Sequence, residues 1–250
     1  MADNLVSIER SGPVAVVRFD RNEKLNAMNY ELVKALTEAA YALRDDIDVH
    51  AIVVTGGEKY FSSGADLSDK RVSGSDLSVL EKRRIVHAGG ELCRAWEDLP
   101  QVTIAAINGL AVGAGFALAL ACDLRVMEED AYVIVPEIKR GMNLQWNTVP
   151  RLVSLAGPAV ARRITFFGEK ILAPSVFEAG LVDKLSENGK AFSDAMEWAL
   201  QVAEGDPLST RMVKKAINAA ANVAANSVSF ADADQSLLCS LLNKDLRKIR

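Results

Sequence analysis

The segment VTIAAINGLAVGAGFALALACDLRVMEEDAYVIVPEIKRG, residues 102–141, carries the strongest structural signal in this chain. Its first part, Val102–Ile107, is apolar and rich in β-branched residues, which predicts a buried strand. Asn108-Gly109 ends that strand, Gly113-Ala114-Gly115 permits a tight backbone turn, and Phe116–Cys122 predicts a short buried helix. The order of strand, glycine turn and helix indicates an α/β fold.

The glycine turn also suggests a chemical role. A turn at the start of a helix directs backbone N–H groups toward one point, where the helix dipole favours negative charge such as a phosphate or a developing oxyanion. The dinucleotide motif GxGxxG is absent because position 118 is leucine, and the Gly-Lys-Ser/Thr of a P-loop is absent as well. Closely spaced glycines also serve backbone packing, so the spacing alone leaves both interpretations open.

The central segment and two earlier motifs together carry a resemblance to a known family. The segment AAINGLAVGAGFALALACDLRV followed by PEIKRG, the loop Phe61–Leu67 (FSSGADL) and the loop Asn22–Ala27 (NEKLNA) occur in the order and at the distances found in the enoyl-CoA hydratase/isomerase (crotonase) superfamily. The resemblance covers roughly residues 4–220. It implies a crotonase-like ββα superhelix core, a helical C-terminal trimerisation region and an acyl-CoA thioester as substrate. It implies no cofactor, because coenzyme A is part of the substrate.

The resemblance also implies which residues form the site. The backbone amides of Ala65 and Ala114 correspond to the oxyanion donors, and Glu137 corresponds to the family's second catalytic glutamate. Apolar neighbours would desolvate Glu137 and raise its pKa. Small residues in tight turns and a solvated loop glutamate are the structural alternatives. The implied contacts to substrate and coenzyme A are Lys24, Leu25, Ala27, Ser63, Gly64, Ala65, Asp66, Leu67, Gly113, Ala114 and Trp146.

The chain departs from the hydratase pattern at one position. Ala117 stands where hydratases of this family carry their first glutamate. Water addition uses two carboxylates, whereas one base can move a proton from C2 to C4 of a 3-enoyl thioester. We therefore expect a 3-enoyl-CoA to 2-enoyl-CoA isomerase with Glu137 as its acid and base. The alternatives are a hydratase or another CoA-thioester lyase of the superfamily, and a non-catalytic crotonase-fold scaffold or binding subunit.

Four further features of the sequence have their own interpretations. The loop Gly141–Asn147 contains no carboxylate, which argues against the dehalogenase chemistry of some family members. Within this loop, Trp146 either forms a wall of an acyl pocket or packs in the core. Asp66 is interpreted as a cap of the following turn rather than a proton-transfer partner. Residues 68–78 are polar and are predicted to form a mobile lid. Lys214 and Lys215 are interpreted as a solvated helix face or as positive charge that a neighbouring subunit contributes to coenzyme A.

Composition limits the class of protein. The chain has 250 residues, half of them hydrophobic, and a formal net charge of −4, which disfavours nucleic-acid and anionic-membrane partners. The sequence contains no transmembrane-length apolar run and no signal-peptide core. Three scattered cysteines fit a reducing, cytoplasmic location, and two histidines without a metal-ligand spacing predict no metal site. The family resemblance, rather than the composition, implies a fatty-acid-metabolism enzyme that forms a homotrimer or a dimer of trimers.

Alternating strands and helices predict two regions, an α/β core at 1–190 and a C-terminal helical region at 191–250. The main predicted elements within them are a hairpin of Leu5–Glu9 and Val14–Phe19, helices over Tyr30–Arg44 and Val79–Leu99, and a strand over Ala51–Thr55.

Overall fold

A computed structural model describes residues 5–21, 23–69, 71, 77–223 and 225–246. The strands are β1 Val6–Ser11, β2 Val14–Phe19, β3 Ala51–Thr55, β4 Val102–Ile107, β5 Leu110–Val112, β6 Leu124–Glu128, β7 Tyr132–Ile134, β8 Ile171–Leu172 and β9 Lys184–Ser186. The helices are α1 Tyr30–Arg44, α2 Val79–Glu97, α3 Ala114–Ala121, α4 Thr148–Phe167, α5 Ala173–Glu178, α6 Ala191–Ala203, α7 Pro207–Ala221, α8 Ala225–Ser229 and α9 Asp232–Leu246, with a 3₁₀ turn at Ile138–Arg140.

Two sheets organise the chain. The larger sheet has the strand order β1-β2-β3-β4-β6-β9, in which β1 and β2 form an antiparallel hairpin and the following pairs are parallel. The smaller sheet has the order β5-β7-β8, and β5 runs parallel to β7. The predicted α/β class is confirmed, and none of the helices in the described part of the chain is long and apolar enough to cross a membrane.

The strongest sequence signals gave correct elements. Strands β3 and β4 and helix α1 have the predicted bounds, and Asn29 caps α1 by accepting a hydrogen bond from the Leu32 amide at 2.9 Å. Strands β5, β8 and β9, which have two or three residues each, are not among the predicted elements. Strands this short provide too few alternating positions to produce a periodic pattern.

Side-chain alternation along the central strands divides the core between the two faces of the large sheet. On β3, Ile52 and Val54 join the larger apolar cluster with α1, α2 and α3, while Ala51 and Val53 join a smaller cluster with α6. Every residue of helix α3 is buried, which explains why the helix has no polar face. The amino end of α3 lies against Ser62 and Glu137, on the segments that form the candidate site.

Helix α6 follows the predicted division of the chain at residue 190 and packs against the large sheet. It covers the second face of the large sheet with alanines one turn apart, Ala191, Ala195 and Ala199. Small side chains at this spacing allow the helix to approach the sheet closely. The first helix of the C-terminal region is thus packed against the α/β core, and the two-region description stays a prediction.

Lys214 on α7 was interpreted as a solvated lysine or a contact to coenzyme A, and the structure shows a different role. Its side chain is 7% exposed, and its Nζ donates to Asp123 Oδ2 at 2.6 Å and to the Gln101 carbonyl at 2.7 Å. Asp123 also accepts from the backbone and side chain of Thr103 on β4. Lys214 therefore ties α7 to the sheet through a buried ion pair.

Replacing Lys214 by methionine should destabilise the fold. The variant keeps the length of the side chain but leaves Asp123 without its cation, and we expect a loss of about 2 kcal/mol in the free energy of unfolding. Urea unfolding followed by circular dichroism measures this loss. The adjacent Lys215 is exposed, and Lys215→Met serves as the matched control with little expected effect. Equal stability of the two variants would contradict the role of the ion pair.

Candidate active site

The centre of the candidate site is the turn that joins β5 to α3. Gly113 has φ +47°, a region that L side chains rarely adopt, and its amide donates to the Ile134 carbonyl at 2.9 Å. Its own carbonyl accepts the first helical bond, from the Ala117 amide at 2.9 Å. The turn thus connects the small sheet directly to the buried helix, and Ala114 is the first residue of that helix.

Glu137 lies against this turn. A Cβ atom added at Gly113 would be 2.6 Å from Glu137 Oε1, so a glycine is required for the carboxyl group to approach. Within the described residues, Glu137 Oε2 is buried and has no hydrogen-bond partner. Burial raises the pKa of Glu137 to about 6, against smaller opposing effects from its own backbone amide and from Arg140. A carboxyl group with this pKa can both accept and return a proton near neutral pH.

The segment around Gly64 approaches the same turn from the other side. Ser62 forms a bridge with Ala111, and Ala65 forms a parallel bridge with Met28. A Cβ atom added at Gly64, whose φ is +93°, would lie 2.7 Å from the Val112 carbonyl oxygen and 3.6 Å from the Ala114 amide nitrogen. Gly64 therefore brings the backbone before Ala65 into contact with the amide of Ala114.

The amides of Ala65 and Ala114 share one property. In the described part of the chain, no acceptor forms a hydrogen bond with either N–H, although the neighbouring amides of Gly64, Asp66 and Gly113 are all paired. Unpaired backbone donors in a folded chain are uncommon unless they bind solvent or a ligand. The two amides predicted as oxyanion donors are thus free to donate to an added group.

Ala117 occupies the position at which the sequence departs from the hydratase pattern. It lies on the first turns of α3, is 2% exposed and belongs to the main apolar cluster. The side chain that occupies this position is therefore a packed methyl group, and α3 contributes no carboxylate to the site.

The loop at residues 24–26 has an unusual backbone. Lys24, Leu25 and Asn26 have φ values of +50°, +55° and +57°, three consecutive left-handed residues none of which is glycine. Buried Asn26 stabilises this conformation because its Nδ2 donates to the Phe19 and Phe61 carbonyls at 3.0 and 2.9 Å. The loop predicted to contact coenzyme A is thus fastened to the segment that carries Ala65.

Sequence reasoning did not single out Asn26, Ser62 and Arg21, which connect these loops. Ser62 Oγ donates to the Asn26 carbonyl at 2.9 Å, and Arg21 Nη1 donates to the Ala27 carbonyl at 2.7 Å. Asn26 lies inside the NEKLNA motif, where its polarity next to the apolar Leu25 and Ala27 was the available signal. Arg21 Nη1 also donates to Asp66 Oδ2 at 2.9 Å. This contact and the bond from Ser62 to Asn26 join positions 45 and 36 residues apart, so they left no local pattern in the sequence.

Asp66 caps the turn after it, as its position suggested, by accepting from the Ser68 amide at 3.0 Å. Burial alone would raise the pKa of Asp66, but hydrogen bonds from Ser68, Arg21 and Lys24 hold it well below its usual range. A carboxylate with a lowered pKa is a weak base, so these contacts favour the capping role that the sequence predicted for Asp66 over proton transfer. Lys24 Nζ contacts Asp66 at 3.0 Å and Ser68 at 2.6 Å, so this amine is already paired within the chain.

Of the other predicted site residues, two leucines are exposed and Trp146 is buried. Leu25 and Leu67 are 49% and 55% exposed, so both present apolar surface beside the site loops. Trp146 is buried, and its ring fills the space over Gly89, where an added Cβ would lie 1.9 Å from the indole. This contact supports the packing interpretation of Trp146. The predicted lid at 68–78 falls largely on residues 70 and 72–76, which lie outside the described residues.

The carboxyl group of Glu137 should titrate near pH 6 because burial disfavours its charged form. Carbon-13 NMR of the labelled carboxyl groups, with Glu137 assigned through Glu137→Gln, measures this midpoint. The pKa of Glu137 in the folded protein exceeds the ordinary value of 4.5. Its contribution to the free energy of unfolding is therefore fully present below about pH 4.5 and is lost as the pH rises through about 6. Exposed glutamates in the same spectrum are the internal control, and a midpoint near 4.5 would contradict the buried environment.

Comparison with known proteins gives one consistent result. The family model for enoyl-CoA hydratase/isomerase matches residues 9–249. The short-chain-enoyl-CoA hydratase of Clostridium acetobutylicum is 32% identical over 86% of this chain and 81% of that protein, and the crotonyl-CoA hydratase of Syntrophomonas wolfei is 29% identical over 96% and 91%. The crystal structure of enoyl-CoA hydratase from Bacillus halodurans has a TM-score of 0.86 at 25% identity and covers 94% of both chains. The resemblance seen in the sequence and the crotonase fold are confirmed, and this chain belongs to the enoyl-CoA hydratase/isomerase family.

Proposed function

We propose that this enzyme converts 3-enoyl-CoA thioesters to 2-enoyl-CoA thioesters with Glu137 as its acid and base. The observation that carries the proposal is the juxtaposition at Gly113. The buried carboxyl group of Glu137, whose pKa is raised, contacts the turn whose next residue, Ala114, has a free amide. A base beside free N–H donors is the arrangement that enolate chemistry requires.

The proposed reaction is a 1,3-proton shift. The thioester oxygen accepts hydrogen bonds from the amides of Ala65 and Ala114, which makes the C2 proton acidic. Glu137 removes that proton, the electron pair enters the dienolate, and the resulting charge rests on the oxygen in the oxyanion hole. Glu137 then returns the proton to C4, so that the C3–C4 double bond becomes a C2–C3 double bond and no water is consumed.

The absence of a carboxylate at Ala117 supports isomerisation over hydration. Hydration requires a water molecule to be deprotonated and a proton to be delivered to C2, a task that two carboxylates can share. The packed methyl group of Ala117 cannot share it. The exposed apolar side chains of Leu25 and Leu67 beside the loops support the binding of a substrate with apolar parts.

Hydration is the second candidate, because the similar proteins from Clostridium acetobutylicum and Syntrophomonas wolfei are both named hydratases. In that case Glu137 and backbone groups alone would orient the water. A carbon–carbon or other CoA-thioester lyase belongs to the same alternative, and a non-catalytic binding subunit would retain CoA binding without turnover.

The proposed homotrimer or dimer of trimers stays a prediction, as does the cytoplasmic location. Apolar side chains exposed along α7 are consistent with an assembly in which this helix is covered; they include Leu208, Met212, Val213 and Ile217.

Replacing Glu137 by glutamine should abolish isomerisation of 3-hexenoyl-CoA. The amide has nearly the same shape but cannot accept the C2 proton, so we expect turnover to fall by at least about a hundredfold. Ultraviolet absorbance and mass spectrometry follow the reaction, with crotonyl-CoA assayed in parallel. Normal isomerase turnover by Glu137→Gln would overturn the assignment of the base. Water gain on crotonyl-CoA by the unchanged enzyme, without isomerisation, would replace the proposal with the hydratase.

Replacing Gly64 by alanine should weaken the oxyanion hole. The added Cβ would meet the Val112 carbonyl at 2.7 Å and displace the amide of Ala65, so we expect kcat to fall about tenfold to a hundredfold. Steady-state kinetics with 3-hexenoyl-CoA gives the value. Gly12→Ala is the matched control because Gly12 also has a positive φ, +58°, but nothing within 4 Å of the added atom. An equal fall in both variants would show general backbone strain instead.

A further inference from the structure

The loop at residues 141–147 begins next to Glu137 and ends in an unfavourable backbone conformation. The Met142 amide donates to the Glu137 carbonyl at 2.9 Å, so the start of the loop is bonded to the residue proposed as the base. At its end, Trp146 and Asn147 have φ values of +64° and +56°. Two consecutive left-handed residues, one of them an aromatic residue, require other groups to stabilise them.

Arg151 on α4 supplies part of that stabilisation. Its Nη1 donates to the carbonyls of Trp146 and Asn147 at 2.9 and 3.1 Å. The other side of the guanidinium forms two hydrogen bonds of 2.9 Å with the carboxylate of Glu97 on α2. The buried Arg151 is thus fixed in orientation by Glu97 and binds the carbonyl side of the left-handed pair.

Asp232, the first residue of α9, binds the amide side of the same pair. Its Oδ2 accepts from the Asn147 amide at 3.0 Å, and its backbone carbonyl accepts from Asn143 Nδ2 at 2.8 Å. Asp232 therefore contacts both the middle and the end of the loop, although 85 residues of sequence separate it from Asn147. The loop lies between α9 on one side and Gly89 of α2, under the ring of Trp146, on the other.

The neighbouring acid on α9 has a different partner. Asp234 forms hydrogen bonds of 2.7 and 3.0 Å with Arg83 and contacts His87 at 3.2 Å, both on α2. Asp234 therefore joins helix to helix, whereas Asp232 joins the helix to the loop. The same helical turn thus contains one acid that packs α9 on the fold and one that binds the loop.

We propose that Asp232 is a positioning residue that acts through the 141–147 loop to fix the carboxyl group of Glu137 against Gly113. This inference rests on the proposed function of Glu137. The C-terminal helix thereby contributes to the geometry of the acid–base group without touching the substrate. Loss of the contact frees the end of the loop, lets water reach Glu137 and moves its carboxyl group away from the turn.

The test compares Asp232→Ala with Asp234→Ala in the full-length enzyme. We expect Asp232→Ala to lower kcat for 3-hexenoyl-CoA about tenfold with little change in KM, since the base is displaced while the loops at 24–27 and 61–67 are intact. The midpoint of the Glu137 carboxyl in carbon-13 NMR should fall from about 6 toward 4.5 as water enters. Asp234→Ala should lower thermal stability and leave the midpoint unchanged.

Asp232→Asn is the conservative variant. Its amide oxygen can still accept from the Asn147 N–H, so it should restore most of the turnover and the midpoint near 6. Equal effects of Asp232→Ala and Asp234→Ala on turnover and on the midpoint would overturn the positioning role. The NMR midpoint of Glu137 does not depend on catalysis. If Asp232→Ala shifts this midpoint while Glu137→Gln is fully active, the proposed function is refuted but the effect of the loop contact on Glu137 is established.

Discussion

The close approach of neighbouring groups to three glycines is the constraint on which the site depends. A Cβ atom would lie 2.7 Å from Val112 at Gly64, 2.6 Å from Glu137 at Gly113 and 2.6 Å from the Ser62 side chain at Gly115. A side chain at any of these positions would displace the neighbouring group, and hydrogen bonds tolerate only small shifts in donor–acceptor distance. The absence of side chains at three positions therefore lets the segments around the two free amides and the buried carboxyl group pack closely.

This close packing is supported by buried polar groups. On one side, Asn26 links the left-handed turn at 24–26 to the carbonyls of Phe19 and Phe61. On the other side, Arg151 bonds to the left-handed pair at 146–147. A left-handed L-residue costs roughly 1–2 kcal/mol, and a hydrogen bond returns about 1 kcal/mol net, so several bonds are needed for each strained turn. Both strained turns flank the site, where a fixed backbone gives preorganised donors.

Membership of the family does not by itself fix the reaction, because one fold supports several reactions of the same thioester intermediate. The common requirement is an oxyanion hole, and the differences lie in the number and position of the proton-transfer groups. In this chain α3 contributes a buried methyl group at Ala117, and Glu137 has a pKa raised to about 6. A carboxyl group of this kind is mostly ionised at pH 7 and is a stronger base than an exposed glutamate, which suits a reaction in which one group takes up and returns the same proton.

The sequence by itself determined the elements whose signal is local: the alternating strands, the amphipathic helix α1, the buried helix α3 and the three motifs that identify the family. The family resemblance also indicated Glu137, and the apolar residues around it predicted a desolvated carboxyl group. Only the tertiary structure decided which distant groups meet. The buried pair of Lys214 with Asp123, the turn stabilised by Asn26 and the contact of Asp232 with Asn147 join residues between 7 and 91 positions apart. Such contacts depend on how sheets and helices pack, and a linear pattern of residue types contains no record of them.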